Sequence, residues 1–138
     1  MQVDSFSHFF TPLTEKEAQG KTPLALAFMG DTFWDMLVRG RLLRSSAKVN
    51  ALHRLAIAQV NAGAQAEAFA KIEPHLSPEE ADIVRRGKNA HAKHHVPKNQ
   101  NPVAYSMATG LEALFGYLYL TGQWERAAQL FDIGVEIP

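Results

Sequence analysis

The sequence predicts an all-α protein, because it contains almost no strand signals and several clear helix starts. A capping side chain precedes a proline at Thr22-Pro23, Ser77-Pro78 and Asn101-Pro102, and this pair is typical of the first residues of a helix. The chain has 138 residues, of which 46% are hydrophobic and 20% charged, as in ordinary globular proteins. This length is enough to bury a substantial core, so we expect one helical domain over residues 1–138.

The order of the helices follows from these starts and from two expected stops. Ser77-Pro-Glu-Glu80 has the pattern of a capping box, in which the glutamate reaches back to the first amide. Gly40 and Gly122 stand where two helices are expected to end. Residues 1–21 are predicted to be irregular. The sequence predicts a helix at 23–39, one or two helices over 46–72, a helix at 78–93, a loop at 94–101, a helix at 102–121 and a last helix at 123–135.

The helix predicted at 23–39 is apolar on nearly all sides. A helix of this kind must be buried on all faces. It is therefore either central in the domain, which is the commoner case, or packed on one side against a second copy of the chain.

Composition excludes several classes of protein. The chain contains no cysteine, which rules out disulfides and thiolate metal sites. Its N-terminus lacks the basic start and apolar run of a signal peptide, and no apolar run is long enough to span a bilayer. We expect a cytoplasmic protein without a membrane partner.

The net charge is zero, which at first argues against a nucleic-acid partner, but the charges are unevenly distributed. Residues 36–66 contain five basic side chains and no acid, and so do residues 83–111. Either window alone would be explained as a solvated helix face, whereas two of them favour a polyanionic ligand. The ten residues are Arg39, Arg41, Arg44, Lys48, Arg54, Arg85, Arg86, Lys88, Lys93 and Lys98.

Two carboxylates lie on unusually apolar segments. Asp31 is in the middle of the segment at 23–38, and Glu112 is in the middle of 107–120. A buried carboxylate is costly unless something positive meets it. The residue types leave two explanations equally open, namely ion pairs with arginine or lysine and a shared hard cation such as Mg²⁺ or Mn²⁺.

The amino-acid sequences of several segments resemble those of a known family. Leu24-Ala-Leu-Ala-Phe-Met-Gly-Asp-Thr32 and Thr109-Gly-Leu-Glu-Ala-Leu-Phe-Gly-Tyr-Leu-Tyr-Leu120 are similar to the ribonuclease III catalytic domain. Ile83-Val-Arg-Arg-Gly-Lys-Asn-Ala90 and Val96-Pro-Lys-Asn99 follow at family-like spacing and resemble the Mini-ribonuclease III branch, the short form without a double-stranded-RNA-binding domain. The resemblance covers about residues 22–122.

This resemblance implies an all-α endonuclease domain of about six to seven helices that acts as a homodimer, with the helix of Asp31 at the interface. The expected reaction is hydrolysis of double-stranded RNA to a 5′-phosphate and a 3′-hydroxyl, in the maturation of the large-subunit (23S) ribosomal RNA precursor. Asp31 and Glu112 would be catalytic metal ligands for Mg²⁺, with Mn²⁺ as a substitute. A ribosomal protein that presents the substrate is a further expected partner.

The resemblance also places the RNA surface on the second basic window and the loop at 94–101. Duplex RNA is recognised by its shape, phosphates and 2′-hydroxyls, and here the catalytic domain itself must supply the affinity. We expect His91, His94 and His95 to add to this exposed surface rather than to bind zinc. The RNA-binding residues expected are Arg85, Arg86, Lys88, Asn89, Lys93, Lys98 and Asn99.

The chain departs from the longer ribonuclease III proteins at three positions. Those proteins carry further acids at the positions of Leu24, Ala27 and Thr109, and none of these is acidic here. Because the Mini form shares these losses, we expect one firmly held Mg²⁺ per centre and any second ion to arrive with the substrate.

Two other functions compete with this one. The first is a non-catalytic RNA-binding or ribosome-assembly factor on the same fold, in which the metal site has decayed. The second is a helical protein-interaction module built around the segment that follows Gly122 and contains Trp124; it predicts no affinity for RNA.

Overall fold

The structure is a computed structural model that describes residues 11–90 and 98–137. These residues form α-helices and one short 3-10 turn, without a β-strand among them, so the all-α prediction is confirmed. The helices are α1 (Glu15–Gln19), α2 (Pro23–Leu43), α3 (Val49–Val60), α4 (Ala62–Ile72), α5 (Pro78–Asn89), α6 (Pro102–Leu120) and α7 (Trp124–Gly134), with the 3-10 turn at Glu73–His75.

The three capping residues named from the sequence begin helices as predicted. Thr22 accepts a hydrogen bond from the amide of Ala25, and Asn101 accepts two from the first turn of α6. Ser77 and Glu80 form the capping box at the start of α5. Gly122 follows α6 with a φ of 73°, a left-handed conformation that favours glycine.

The prediction that residues 1–21 are irregular is wrong at Glu15–Gln19, which form α1. Thr14 accepts a hydrogen bond from the amide of Glu17, and the Glu17 carboxylate accepts one from the amide of Thr14. The sequence Thr14-Glu-Lys-Glu17 has the capping-box spacing, so the signal was present in the sequence.

The predicted stop at Gly40 is also wrong, because α2 continues to Leu43. A glycine inside a helix costs only about 1 kcal/mol relative to alanine. Continuing the helix buries Leu42, which is 3% exposed, and places Arg41 over the ring of Phe131 at 5.3 Å from its centroid. These tertiary contacts outweigh the local preference of glycine.

The remaining boundaries agree with the prediction to within a few residues. The segment at 46–72 divides into α3 and α4 at Asn61, whose side chain accepts a hydrogen bond from the amide of Ala64 at 2.9 Å. Helix α5 ends at Asn89, and residues 91–97 lie outside the described part of the chain.

Helix α6 is the centre of the fold. Ten of its residues, from Ala108 to Leu118, are buried, and it packs against α2, α4 and α5. Trp34 of α2 meets Phe115 of α6 edge-on, with ring centroids 4.9 Å apart, and Phe131 of α7 at 5.0 Å. These aromatic contacts join three helices in one core.

Helix α2 is not central, although its sequence is apolar nearly all round. One face is buried on α6 through residues such as Leu26, Phe33 and Trp34. The opposite side exposes Phe28 at 81% and Met36 at 56%. A fully central position therefore does not explain the apolarity of α2. The described contacts leave this side of the helix available for a partner.

The Trp124 segment packs back on its own domain. The indole N–H donates to the carbonyl oxygen of Tyr119 at 3.0 Å, and the two rings lie 6.4 Å apart. Arg126 also ties α7 to α5, because it donates to the buried Glu80 carboxylate at 2.9 and 3.0 Å. None of the helices in the described residues combines the length and apolarity needed to cross a membrane.

Candidate active site

The site is built where α2 crosses α6 backbone against backbone. Gly30 and Gly116 make this close approach feasible. A Cβ atom at Gly30 would lie 1.6 Å from the carbonyl oxygen of Glu112, and one at Gly116 would lie 1.8 Å from that of Leu26. Both contacts are far shorter than real Cβ contacts, so any larger residue would force the helices apart.

This crossing brings the two predicted carboxylates together. Asp31 directly follows Gly30, and its carboxyl is close enough to the Glu112 carboxyl to influence its pKa. Burial and the neighbouring Asp31 raise the pKa of Glu112 to about 8, while a hydrogen bond from Gln65 acts in the opposite direction. The pair therefore prefers to hold a proton or a cation, because two ionised carboxylates this close repel each other.

Open pockets adjoin both carboxylates. Glu112 lies in a pocket of about 340 Å³ between α4 and α6, with Asn61, Gln65 and Tyr105 among its lining residues. Asp31 lies in a neighbouring pocket of about 230 Å³, and Val60 lines both. A ligand can therefore reach both carboxylates from solvent.

The geometry bears on the two explanations that the residue types left open. Among the described residues, the salt bridges do not include Asp31 or Glu112. The same residues contain no group of three or more histidine, cysteine or acidic side chains that could hold a metal by itself. Two adjacent carboxylates next to open space fit a hard cation such as Mg²⁺, which keeps several waters and takes its other ligands from a phosphate substrate.

The expected RNA-binding residues fall into two groups. Arg85, Arg86 and Asn89 line one pocket of about 550 Å³ beside the first turn of α2. Lys98 and Asn99 are exposed in the turn before α6, next to Gln100, which lines the Glu112 pocket.

Lys88 differs from the others in this set. Its ammonium lies 5.7 Å from the centroid of the Phe69 ring, and its side chain packs against Gly110. Lys93, with His91, His94 and His95, lies outside the described residues.

Some basic residues of the two charge windows are paired with acids from outside those windows. Arg39 contacts Asp35 at 3.1 Å, Arg85 contacts Asp82 at 2.6 Å, and Arg41 pairs with Asp132. Asp35, one turn after Asp31, is therefore held in an ion pair with Arg39. The acid-free windows overstate the positive charge that a ligand would meet.

Gln65 also belongs to the site, although it was not among the residues predicted from the sequence. Its side chain is 3% exposed, and its Nε2 donates to Oε2 of Glu112 at 3.4 Å. The local sequence Ala62-Gly-Ala-Gln-Ala-Glu-Ala68 held a weak signal, because a glutamine among alanines is one of few bulky side chains there. Only the tertiary fold shows that it faces Glu112.

Comparisons with known proteins identify the family of this chain. The model of the Ribonuclease III domain family matches residues 24–123, a segment that contains both carboxylates. A Mini-ribonuclease 3 of Symbiobacterium thermophilum is 45% identical over 115 residues, which cover 83% of this chain and 88% of that protein. A Mini-ribonuclease 3 of Thermoanaerobacter sp. is 40% identical over 126 residues, covering 91% and 88%.

A solved structure shares the fold. An X-ray crystal structure of a Fusobacterium nucleatum protein matches with a TM-score of 0.75 and 30% sequence identity, over 85% of this chain and 93% of that one. The helices, the carboxylate pair and the matches over most of the chain agree, and the chain therefore belongs to the ribonuclease III family of endoribonucleases, in its Mini-ribonuclease III branch.

Proposed function

We propose that this protein is a Mg²⁺-dependent endoribonuclease that cleaves double-stranded RNA and leaves a 5′-phosphate and a 3′-hydroxyl. The observation that carries the proposal is that Asp31 and Glu112 are brought near each other, each beside an open pocket. The names of the relatives, Mini-ribonuclease 3, support the same reaction class.

In this proposal Asp31 and Glu112 hold the divalent cation through their carboxylate oxygens. When bound, such a cation would supply an activated water and neutralise charge on the scissile phosphate. Asp31 lies on an exposed helix face and Glu112 on a half-buried one, so a substrate could reach both carboxylates. Mn²⁺ has similar ligand preferences, and we expect it to substitute.

The RNA backbone would be held by the two groups of basic and amide side chains. Arg86 and Asn89 of α5 lie beside the first turn of α2, and Lys98 and Asn99 precede Gln100, which lines the Glu112 pocket. Together they would contact phosphates on both sides of the cleaved bond. Arg85 and Lys88 would exchange their present partners, Asp82 and Phe69, for phosphates.

The substrate we propose, on the family resemblance, is the large-subunit (23S) ribosomal RNA precursor in the cytoplasm. A ribosomal protein that folds the precursor into a duplex would present it. Cleavage of the protein-bound precursor should then be faster than cleavage of the naked RNA, and equal rates would remove the presenting protein from the proposal.

We also propose that the active form is a homodimer with one centre per subunit. Support comes from the exposed apolar side chains of α2, Phe28 and Met36, which lie on either side of Gly30 along the same helix. An apolar side of this kind is typical of an interface between copies.

The test of the nuclease is cleavage of an end-labelled RNA duplex with Mg²⁺, with EDTA, and with the variant Glu112→Gln. Glu125→Gln is the matched control, because Glu125 is an exposed glutamate on α7. We expect cleavage by the wild type and the control, and loss of at least about 100-fold with Glu112→Gln or EDTA.

The same experiment separates the competing functions. Salt-sensitive duplex binding without cleavage would favour the RNA-binding factor, for which the absence of acids at Leu24, Ala27 and Thr109 is the supporting observation. If the protein neither binds nor cleaves the duplex, every RNA-directed function is contradicted, including the one proposed.

A further inference from the structure

Gln65 is one of three polar side chains that are almost fully buried within the described residues, beside Glu80 and Thr109. Two of the three have an evident structural partner. Glu80 accepts hydrogen bonds from Arg126 and from the amide of Ser77, and Thr109 donates to the carbonyl oxygen of Tyr105 at 3.0 Å. Gln65 instead donates into the candidate active site, to Oε2 of Glu112.

The position of Gln65 allows it to control how Glu112 is presented. It lies in the first turns of α4, just after Asn61, and lines the same pocket as Glu112. Its Nε2 lies 3.4 Å from one carboxylate oxygen, so its N–H is placed to restrict rotation of the carboxylate plane. Hydrogen bonds at catalytic groups are often long in the free protein and shorten when ligands bind.

The chemical type of Gln65 suits this task better than that of a charged partner. A lysine or arginine at this position would neutralise Glu112 and repel a cation. A glutamine amide is neutral and supplies only a directed N–H donor. It can therefore orient the carboxylate and leave its negative charge to the metal ion, as residues behind metal ligands commonly do.

We propose that Gln65 is a positioning residue that holds the Glu112 carboxylate in the orientation that binds the divalent cation. This inference rests on the proposed function and deepens it. In this role Gln65 would act through Glu112 and would not itself contact the metal or the RNA.

The test compares Gln65→Met with wild type in two measurements. The first is binding of Mn²⁺ alone to the RNA-free protein, followed by electron paramagnetic resonance. The second is the Mg²⁺ concentration that gives half-maximal cleavage of the duplex. Methionine keeps the volume and burial of the side chain but lacks the N–H donor. The matched control is Gln129→Met, because Gln129 is exposed on α7.

We expect Gln65→Met to weaken Mn²⁺ binding by about 10–100-fold and to raise the Mg²⁺ requirement by a similar factor. The cleavage rate of the variant should be closer to that of wild type at saturating Mg²⁺ than at low Mg²⁺. The control should match wild type in both measurements.

A purely structural role for Gln65 predicts a different result. The variant would then unfold at a lower temperature yet bind Mn²⁺ as tightly as wild type, and this outcome would overturn the inference. If Gln65→Met does not fold, Gln65→Asn decides, because it keeps the amide but is too short by one methylene to reach Glu112. A folded Gln65→Asn that binds Mn²⁺ normally would also overturn the inference.

Failure of the proposed function itself is distinguishable. A wild-type protein that neither cleaves the duplex nor binds Mn²⁺ would contradict the nuclease and the role of Gln65 together. A wild type that does both, with an equally competent Gln65→Met, would contradict the role of Gln65 alone.

Discussion

Glu112 combines burial with a neighbouring carboxyl group, and the two effects together govern how its charge depends on pH. In the metal-free protein its pKa is raised to about 8, first by burial and then by Asp31. An ordinary glutamate in an unfolded chain has a pKa of about 4.3. Folding therefore favours the protonated form of Glu112 at neutral pH.

This difference predicts a pH dependence of stability in EDTA. Because the folded pKa is the higher one, its stabilising contribution is complete below the unfolded pKa and is lost as pH rises through about 8. The free energy of unfolding should fall over this range, by at most about 1.4 kcal/mol per pH unit. The measurement is urea unfolding at pH 5, 6, 7 and 8.

Glu112→Gln isolates this contribution, because the amide cannot titrate. The variant should lose the part of the slope that Glu112 causes and become the more stable protein in EDTA at pH 8. Saturating Mg²⁺ should restore wild-type stability at high pH, because the ion binds the ionised pair. Identical slopes in wild type and variant would show that Glu112 ionises normally.

At the scale of helices, the crossing of α2 and α6 determines whether the two carboxylates meet. Gly30→Ala should destabilise the protein by about 3 kcal/mol or more, because its Cβ would lie 1.6 Å from the carbonyl oxygen of Glu112. Cleavage should be lost even at temperatures where the variant stays folded, since Asp31 moves with the helix. Thermal unfolding and duplex cleavage check both effects.

Gly40→Ala is the control on the same helix. A Cβ at Gly40 meets no atom within 4 Å, so alanine should stabilise α2 by about 0.5–1 kcal/mol and leave cleavage unchanged. Equal effects of the two substitutions would mean that the crossing is not the constraint described here.

At the scale of the whole molecule, two surfaces are proposed to bind partners. The first is the apolar side of α2. Phe28→Lys should convert a dimer into a monomer of 15.3 kDa, because the 81% exposed ring would lie in the interface. Light scattering after size-exclusion chromatography measures this. Val103→Lys, at another exposed apolar residue, should leave the dimer intact, and a wild-type monomer would contradict the proposed assembly.

The second surface is the RNA face. Arg86→Gln and Lys98→Gln should each weaken duplex binding and reduce the slope of log affinity against log salt concentration by about 1. Lys71→Gln, an exposed lysine at the end of α4, should do neither. Binding titrations at several salt concentrations provide the comparison. Equal slopes for the three variants would show that the RNA does not bind at this face.

The sequence by itself determined the helical class, the main helix starts and the two carboxylates, because these depend on local patterns. Thr22, Ser77 and Asn101 act within one turn of their own helices. Their capping role therefore depends on neighbouring residues and can be predicted from the local sequence. The α1 capping box at Thr14 is equally local, so the sequence also contained the signal for this helix.

The tertiary structure decided what depends on residues far apart in the chain. Helix α2 passes Gly40 because Arg41 and Leu42 gain contacts with other helices. Asp31 meets Glu112, and Gln65 reaches it, only because the helices pack at Gly30 and Gly116. The periodicity of apolar residues in the sequence describes one helix at a time. Packing distances, burial and the resulting charge of a carboxylate depend on how two helices pack together.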